Sequence, residues 1–401
     1  MKRYFKLLFR NLDYSLLFTY IFLSLFGLIM IYSASQMTAI SLENQTPDYF
    51  YERQLSNLKL GAIFFLVALI FPFRNLSNKG ILWLLMIGML ILEIWLFLFG
   101  SGKEQVGSQS WIYIGGKSFQ PSEYMKLFVI VYFAGVFYNK SRKRNSIQQL
   151  KLEDITAPLS VWLFILLMVG LETDLGAAII IFAIAMGLLV SSGLKGKVLA
   201  KFIGIIGGFG AGLMGLLLLI KKDAIFTESR LGRFTSFRNP FEYTDGSGHQ
   251  IINGYYAIGN GGLEGLGLGQ SIQRLGYLPH PHTDFIMAII AEELGFLGVL
   301  AVLGGLGFIV LKAFYIALTT KDVLARMLAA GIGTWIGVQT VVNVGGLAGL
   351  IPLTGVTLPF ISYGGTSLFL LSLAMGILIN VSTFYKIDKR KNRGIGEREK
   401  V

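Results

Sequence analysis

"LLFTYIFLSLFGLIMIYSA", residues 16–34, decides the class of this protein. The run carries no charge and is about as long as the ~20 residues a helix needs to cross a bilayer. Runs like it recur along the whole chain. Of the 401 residues, 54% are hydrophobic and 14% charged, and the mean hydropathy is +0.63. Soluble domains carry about 25% charged residues. A water-soluble fold is thereby excluded, and a single all-α polytopic membrane domain spanning 1–401 is expected. The first run lacks a small-residue cleavage site and reads as a span, with no cleavable signal peptide. Cysteine is absent, which excludes disulfides and thiolate metal sites.

Ten spans are expected, near 16–34, 58–71, 80–99, 123–138, 158–171, 175–192, 198–220, 284–316, 327–346 and 358–384. The eighth is longer than a span needs and holds a string of glycines, so it should include a tilted or loop portion. Basic residues set the orientation. With the N-terminus inside, most of the 35 Lys and Arg fall on the cytoplasmic side, including "NKSRKRNSIQQLK" and the basic tail 386–401. Both termini are then cytoplasmic. The formal charge of +12 is mostly topology and attraction to anionic lipid, and nucleic-acid binding is not needed to explain it.

One large polar segment, 221–283, lies between spans seven and eight and is expected to be extracellular. It holds Arg230, Arg233, Arg238, Arg274 and all three histidines. Its aromatics and glycines argue for order, and "IINGYYAIGNGGL" could lie on the membrane surface. Its "GNGGLEGLGLG" fails the dinucleotide spacing because Glu264 stands where the third glycine belongs. "WIYIGGKS" lacks the first glycine of a phosphate loop, Trp111 standing in its place. His280 and His282 could be half of a metal site, but no cysteine and only one other histidine exist to complete it.

The remaining polar residues gather at the outer ends of the spans. They are Arg53, then Gln109, Trp111, Gln120, Ser122, Glu123 and Lys126 in "GSQSWIYIGGKSFQPSEYMK", then Asp174. The large loop and its boundary add Arg230, Arg233, His282, Thr283 and Asp284, and the last outer segment adds Thr354, Ser362 and Tyr363. Charge at membrane depth is costly and marks functional candidates. Each has a plainer reading. Glu123 and Lys126 form an i,i+3 pair that could simply hold helices together. Trp111 could belong to an interfacial belt, and Asp174 could cap the span it begins. In "YLPHPHTDFIMAIIAEELGFLG", residues 277–298, Thr283 and Asp284 are both good N-cap residues.

Three stretches go further. "GSQSWIYIGGKSFQPSEYMKL", "GYLPHPHTDFIMAIIAEELG" and "GLIPLTGVTLPFISYGGTS" resemble, in order, the motifs of the SEDS family, and the resemblance covers nearly the whole chain. It implies ten spans and polymerisation of peptidoglycan glycan strands from lipid II on the outer face of the bacterial cytoplasmic membrane. It places the family's essential aspartate on Asp284 and its important tryptophan on Trp111. The form of "GLGLGQSIQRLGYLP", and Thr357 in "TGVTLPF", resemble the cell-division branch more than the elongation or sporulation branches. Two positions depart from the pattern: His280 stands where glutamate is usual, and Thr173 where proline is usual.

The implied chemistry is a single displacement. The 4-hydroxyl of one sugar attacks C1 of another, undecaprenyl pyrophosphate leaves, and an α-linked donor becomes a β-1,4 bond. That needs a base and cationic help for the leaving group. Asp284 is the candidate base, or else a ligand for Mg²⁺ or Mn²⁺; no organic cofactor is expected. Gln109, Trp111, Glu123, Lys126, Arg230, Arg233, His282, Thr283 and Ser362 are candidate substrate contacts. The resemblance also implies a class B penicillin-binding transpeptidase and other division proteins as partners at the septum. A lipid II flippase would want polar groups through the full membrane depth, and a pure scaffold would leave the outer polar cluster without purpose.

Overall fold

A computed structural model describes residues 2–41, 44–100, 110–114, 117–144, 146, 148, 150–172, 174–204, 207–208, 235–242 and 246–398. In chain order the principal helices are α1 (Lys2–Arg10), α2 (Tyr14–Ser41), α3 (Tyr49–Ile70), α4 (Lys79–Phe99), α5 (Pro121–Lys143), α6 (Leu152–Leu171) and α7 (Leu175–Ser191). They continue with α8 (Ser247–Gly261), α9 (Ile286–Thr319), α10 (Val323–Leu347) and α11 (Gly365–Arg398). Among the described residues, seven helices are long and apolar enough to cross a membrane: α2, α3, α4, α6, α9, α10 and α11, with α7 a shorter apolar helix. A departure from an all-helical chain is the hairpin β1 (Ile112–Ile114) and β2 (Lys117–Phe119), paired antiparallel with Tyr113 opposite Ser118.

Several ends differ from the apolar runs for local reasons. Helix α3 starts nine residues before the run at 58, and the polar Gln54 in that extension is buried. Helix α5 extends to Lys143, because Pro121 suits a first helical turn and Lys140, Arg142 and Lys143 suit a last one. The tenth run begins at 358, yet α11 starts at Gly365; residues 352–364 are non-helical. Of the expected seventh span only 198–204 and 207–208 lie within the described residues, and of the large loop 235–242 and 246–283.

Helices α10 and α11 form the centre, with 72% and 83% of their apolar windows buried, against 22% for α4 on the rim. One end of the bundle is basic and tied by charge. Asp13 accepts from Lys386 at 2.8 Å, with Lys312 at 3.9 Å, Arg74 lies 3.6 Å from Asp322, and Arg390 donates to Asn11 at 2.7 Å. The opposite end gathers the hairpin, the α6–α7 turn, the described part of 246–285 and the α10–α11 segment.

The glycine-rich stretch is stitched to α9 by backbone. Gly295 sits at φ 63°, ψ −159°, breaking α9 into two helical pieces. The carbonyls of Glu292 and Glu293 are thereby released, and they accept from Leu266 N (2.9 Å) and Gly267 N (2.9 Å), while Phe296 N donates to Gly262 O (3.1 Å). Backbones this close leave no room for side chains. A Cβ on Gly261 would stand 1.8 Å from Ala291 O, and one on Gly265, at φ +78°, 2.3 Å from Glu293 O. The glycines therefore serve helix docking, not nucleotide binding.

This contrast gives a stability test. A Cβ on Gly259 meets nothing within 4 Å. Gly259→Ala should leave the thermal unfolding midpoint of the detergent-solubilised protein unchanged or slightly raised. Gly261→Ala, two residues on, should lower it by several degrees or abolish folding.

Candidate functional site

The site is organised by α10, whose C-terminal half carries Trp335, Gln339 and Asn343 at four-residue spacing and so on one face. Gln339 is fully buried and joins two neighbours. Its Oε1 accepts from Trp335 Nε1 (2.7 Å) and Lys126 Nζ (3.3 Å), and its Nε2 donates to the Thr357 carbonyl (2.9 Å). One turn further out, Asn343 Nδ2 donates to two carbonyls, those of Asp284 and Val356, each at 2.8 Å. A single helix face thus fixes α5, the start of α9 and the non-helical 352–364 segment relative to one another.

That segment runs inward. A Cβ on Gly27, midway along α2, would meet Phe360 O at 2.6 Å, and Phe360 packs edge-on against Tyr20 at 5.4 Å. Ser362, a candidate substrate contact, is buried, and its hydroxyl accepts from Leu358 N at 2.7 Å. Its carbonyl accepts from Gln54 (3.3 Å), and Tyr363 N donates to the His282 carbonyl (2.9 Å). Ser362 therefore closes a turn.

Asp284 does not cap α9 as expected. The capping position belongs to Phe285 (φ −99°, ψ 11°), whose side chain makes no capping bond, and the first helical residue is Ile286. Two good capping residues are passed over because Pro281 to Phe285 form a turn fixed by Asn343 and Tyr363. The half-buried Asp284 lines a narrow cleft with Asn343, Gly346, Thr354, Gly355 and Val356. Thr283 Oγ1 lies 2.9 Å from Asp284 Oδ1 and 2.8 Å from the His280 carbonyl, with one hydrogen to give.

His282 is 3% exposed and sandwiched between Phe50 (4.2 Å) and Tyr363 (5.5 Å). Burial, and then the neighbouring His280, lower its pKa to about 3, so the ring is neutral and faces other rings. Lys126, 1% exposed, holds Glu123 Oε1 at 2.6 Å and lies 5.9 Å from the Trp335 ring. Its charge is compensated within the bundle, which is the helix-joining role. Asp174 caps α7 by accepting from Ala177 N (2.9 Å), and its other oxygen takes Gln120 (2.8 Å) and Ser122 (3.2 Å). The hairpin beyond Trp111 is thereby tied to α7, whose Gly176 abuts Val356 and Thr354 of the cleft wall. Trp111 itself is half-buried in a bridge leading into β1. Gln109, Arg230, Arg233 and Thr173 lie outside the described residues.

Several contributors had a weaker sequence signal. Trp335, Gln339 and Asn343 stand in "GTWIGVQTVVNVGG", where four-residue spacing on an apolar span was the available clue. Glu292 and Glu293 are fully buried: Glu292 accepts from Ser271, Gln273 N (3.2 Å) and Asn260 (3.2 Å), and Glu293 from Ser33 (2.7 Å) with Arg274 at 3.9 Å. They anchor the large loop. At the α6–α7 turn, burial and then the nearby Glu93 and Asp174 raise the Glu172 pKa to about 9, so it is held as the neutral acid. Among the described residues, no group of three or more His, Asp or Glu converges as metal ligands.

A family model for FtsW, RodA and SpoVE, described as cell cycle protein, matches residues 14–387. The chain is 45% identical over 392 residues to the probable peptidoglycan glycosyltransferase FtsW of Bacillus subtilis strain 168, covering 97% of this chain and 94% of that one. It is 37% identical over 362 residues to stage V sporulation protein E of the same strain, covering 89% and 93%. Among solved structures it is similar in fold to a chain from a peptidoglycan synthase complex that coordinates polymerization and crosslinking, with a TM-score of 0.70, 23% identity and coverage of 93% and 98%. The rod shape determining protein RodA of Thermus thermophilus gives a TM-score of 0.63 at 24% identity, covering 92% and 96%.

The neutral His282 makes a pH prediction with a definite sign. The unfolded ring titrates near 6.5 and the folded ring near 3, so between these values only the unfolded chain takes up the proton. Stability is therefore lost as pH falls below about 6.5. His282→Phe, which keeps the ring packing, should remove that part of the acid sensitivity. The difference in thermal midpoint between wild type and variant should change steadily from pH 7 to pH 4, in the variant's favour.

Proposed function

The chain belongs to the FtsW/RodA/SpoVE cell cycle protein family, and on that premise we propose that Asp284 is the general base of its glycan-polymerising site. The protein is a peptidoglycan glycosyltransferase of cell division, in keeping with its relatives. Its substrate is lipid II. The observation that carries the base assignment is the one at the mouth of α9. The Asp284 main chain is fixed by Asn343, while Phe285 takes the capping position and the carboxylate borders a cleft. A carboxylate held at an apolar boundary beside a cleft suits proton abstraction.

The sugar 4-hydroxyl gives its proton to Asp284 as its oxygen bonds C1 of the donor sugar. The C1–O bond to undecaprenyl pyrophosphate breaks with its electron pair, leaving the diphosphate. Arg230 and Arg233 are proposed to meet that charge, arginine giving bidentate contacts to phosphate. Were Asp284 a metal ligand instead of the base, it and the substrate phosphates would hold a Mg²⁺ or Mn²⁺ ion, which would neutralise the leaving group. Lys126 and Glu123 hold α5 against α10 and keep Gln339 in place beneath the 352–364 segment.

The reading also places the chain across the bacterial cytoplasmic membrane ten times. Both termini and the basic end lie inside, and 221–283 lies outside. The ion-paired basic end of the bundle, opposite the cleft, supports it. The partner is a class B penicillin-binding transpeptidase, with other division proteins at the septum.

Two experiments test these statements. Asp284→Asn keeps size and hydrogen bonding, and Phe285 rather than residue 284 occupies the cap, so the thermal midpoint should stay within error. Polymerisation of labelled lipid II by the reconstituted variant should fall about 10²-fold or more, as expected for losing a general base. A fully active variant would overturn the assignment. For topology, the natural absence of cysteine allows single reporters. An impermeant thiol reagent on intact cells should label Gln270→Cys and leave Ser146→Cys unlabelled; the reverse pattern would refute the orientation.

A further inference from the structure

At the basic end of the bundle, away from the site above, α4 and α5 part to leave an open groove of about 630 Å³. The helices are pinned on either side of it. Tyr124 OH donates to the Leu85 carbonyl at 2.9 Å, and Gly135 lets Leu82 approach so closely that a Cβ there would stand 2.9 Å from the leucine methyls. The walls are apolar, with Trp83, Met86 and Val136 among them, and the mouth carries Lys79, Lys140 and Lys143.

Among the described residues, Lys195, Lys197 and Lys321 share with Lys79 and Lys143 the lack of a carboxylate within ion-pair distance; what sets Lys79, Lys140 and Lys143 apart is that they border one groove. Other cations of that end are engaged. Lys386 and Lys312 serve Asp13, Arg74 serves Asp322, and Arg326 donates to the Ser192 carbonyl at 2.8 Å. Lys140 is shared with Asp154 at 3.6 Å, which Arg144 also holds at 3.2 Å. Lys79 and Lys143 have no carboxylate within ion-pair distance among the described residues. Two uncompensated ammonium groups and one half-compensated group therefore converge above a greasy slot. Trp83, 60% exposed, and the exposed Leu84, Ile87 and Ile91 continue that slot along the outward face of α4. An occupant enters from the bilayer side, with its charged end at the lysines and its chains along Met86 and Val136.

We propose that this groove is a binding site for one anionic phospholipid, its phosphate held by Lys79, Lys140 and Lys143 and its acyl chains seated between α4 and α5. Diffuse attraction of a basic surface to an anionic leaflet would spread over all exposed lysines of that end; this site depends on two of them and on the slot beneath. Charge-assisted hydrogen bonds from ammonium hold the phosphate, and the preference for an anionic lipid comes from net charge, since a choline ammonium would be repelled by the lysines. The proposal is independent of the glycosyltransferase assignment.

The test uses the purified full chain in detergent, with bound lipid counted by native mass spectrometry after addition of phosphatidylglycerol or phosphatidylcholine. Wild type should retain one phosphatidylglycerol in about tenfold or greater preference to phosphatidylcholine. The double variant Lys79→Gln, Lys143→Gln should fall to the phosphatidylcholine level with an unchanged thermal midpoint. The control Lys195→Gln, Lys197→Gln, which removes two other exposed lysines, should bind as wild type does. Val136→Trp, which fills the slot without touching charge, should displace the lipid as well. Equal retention of both lipids by wild type would show a plain acyl-chain groove and overturn the proposal. So would equal phosphatidylglycerol retention by the Lys79 and Lys143 variant, loss in the control of the same size, or a second copy of the chain occupying the groove in place of lipid.

Discussion

The cleft end of this bundle depends on satisfying the peptide groups of residues 352–364, a non-helical strip that reaches the level of Gly27, midway along α2. Irregular backbone at such depth is tolerated only where protein supplies the missing hydrogen bonds, since each unsatisfied group costs several kcal/mol. Gln339 and Asn343 supply two from α10, Ser362 one from within, and Gln54 one from α3. Because Asn343 also holds the Asp284 carbonyl, the same requirement that stabilises the strip positions the carboxylate. Structure and site share their fixings.

Buried charge is handled in two ways here. Lys126 and Glu123 neutralise each other on one helix, and Glu292 and Glu293 spend their oxygens on the large loop and α2. A buried ion pair of this kind is weak evidence for net stability, but removing one partner would strand the other. Asp284, with Thr283 Oγ1 at 2.9 Å, borders the cleft. Three carboxylates within ten residues thus divide into one at the cleft and two that hold the scaffold, although all three lie in the same motif.

The sequence was legible where length and periodicity dominate. Every described helix long and apolar enough to cross a membrane coincides with an expected span, because a helix in lipid needs about 20 apolar residues and little else. It was less legible where tertiary bonds override local preference. Thr283 and Asp284 are good caps by propensity, yet Asn343 and Tyr363 draw their backbone into a turn and leave the cap to Phe285. The tenth apolar run begins at 358 because Leu358, Phe360 and Ile361 are apolar; they are buried in an irregular strip, which hydropathy cannot tell from a helix. The spacing of the glycines of 261–269 fails the dinucleotide pattern, but their docking against Ala291 to Gly295 depends on which backbone comes near, and spacing does not show that. Trp335, Gln339 and Asn343 had the right spacing and were passed over, since polar residues one helical turn apart also occur on ordinary packing faces.

The distance in sequence between the strip and its partners has a consequence for biogenesis. Gln54 and Ser362 are separated by 308 residues, and Tyr20 meets Ser372 across 352. The stitching of the glycine-rich stretch to α9, by contrast, spans about thirty. As the chain leaves the ribosome and enters the membrane, the large loop and α9 have all they need to dock on each other early. The strip has nowhere to settle until α11 is threaded and returns to α2 and α3. A chain interrupted before that point would lack the Gln54–Ser362 and Tyr20–Ser372 bonds, so the cleft would be completed last.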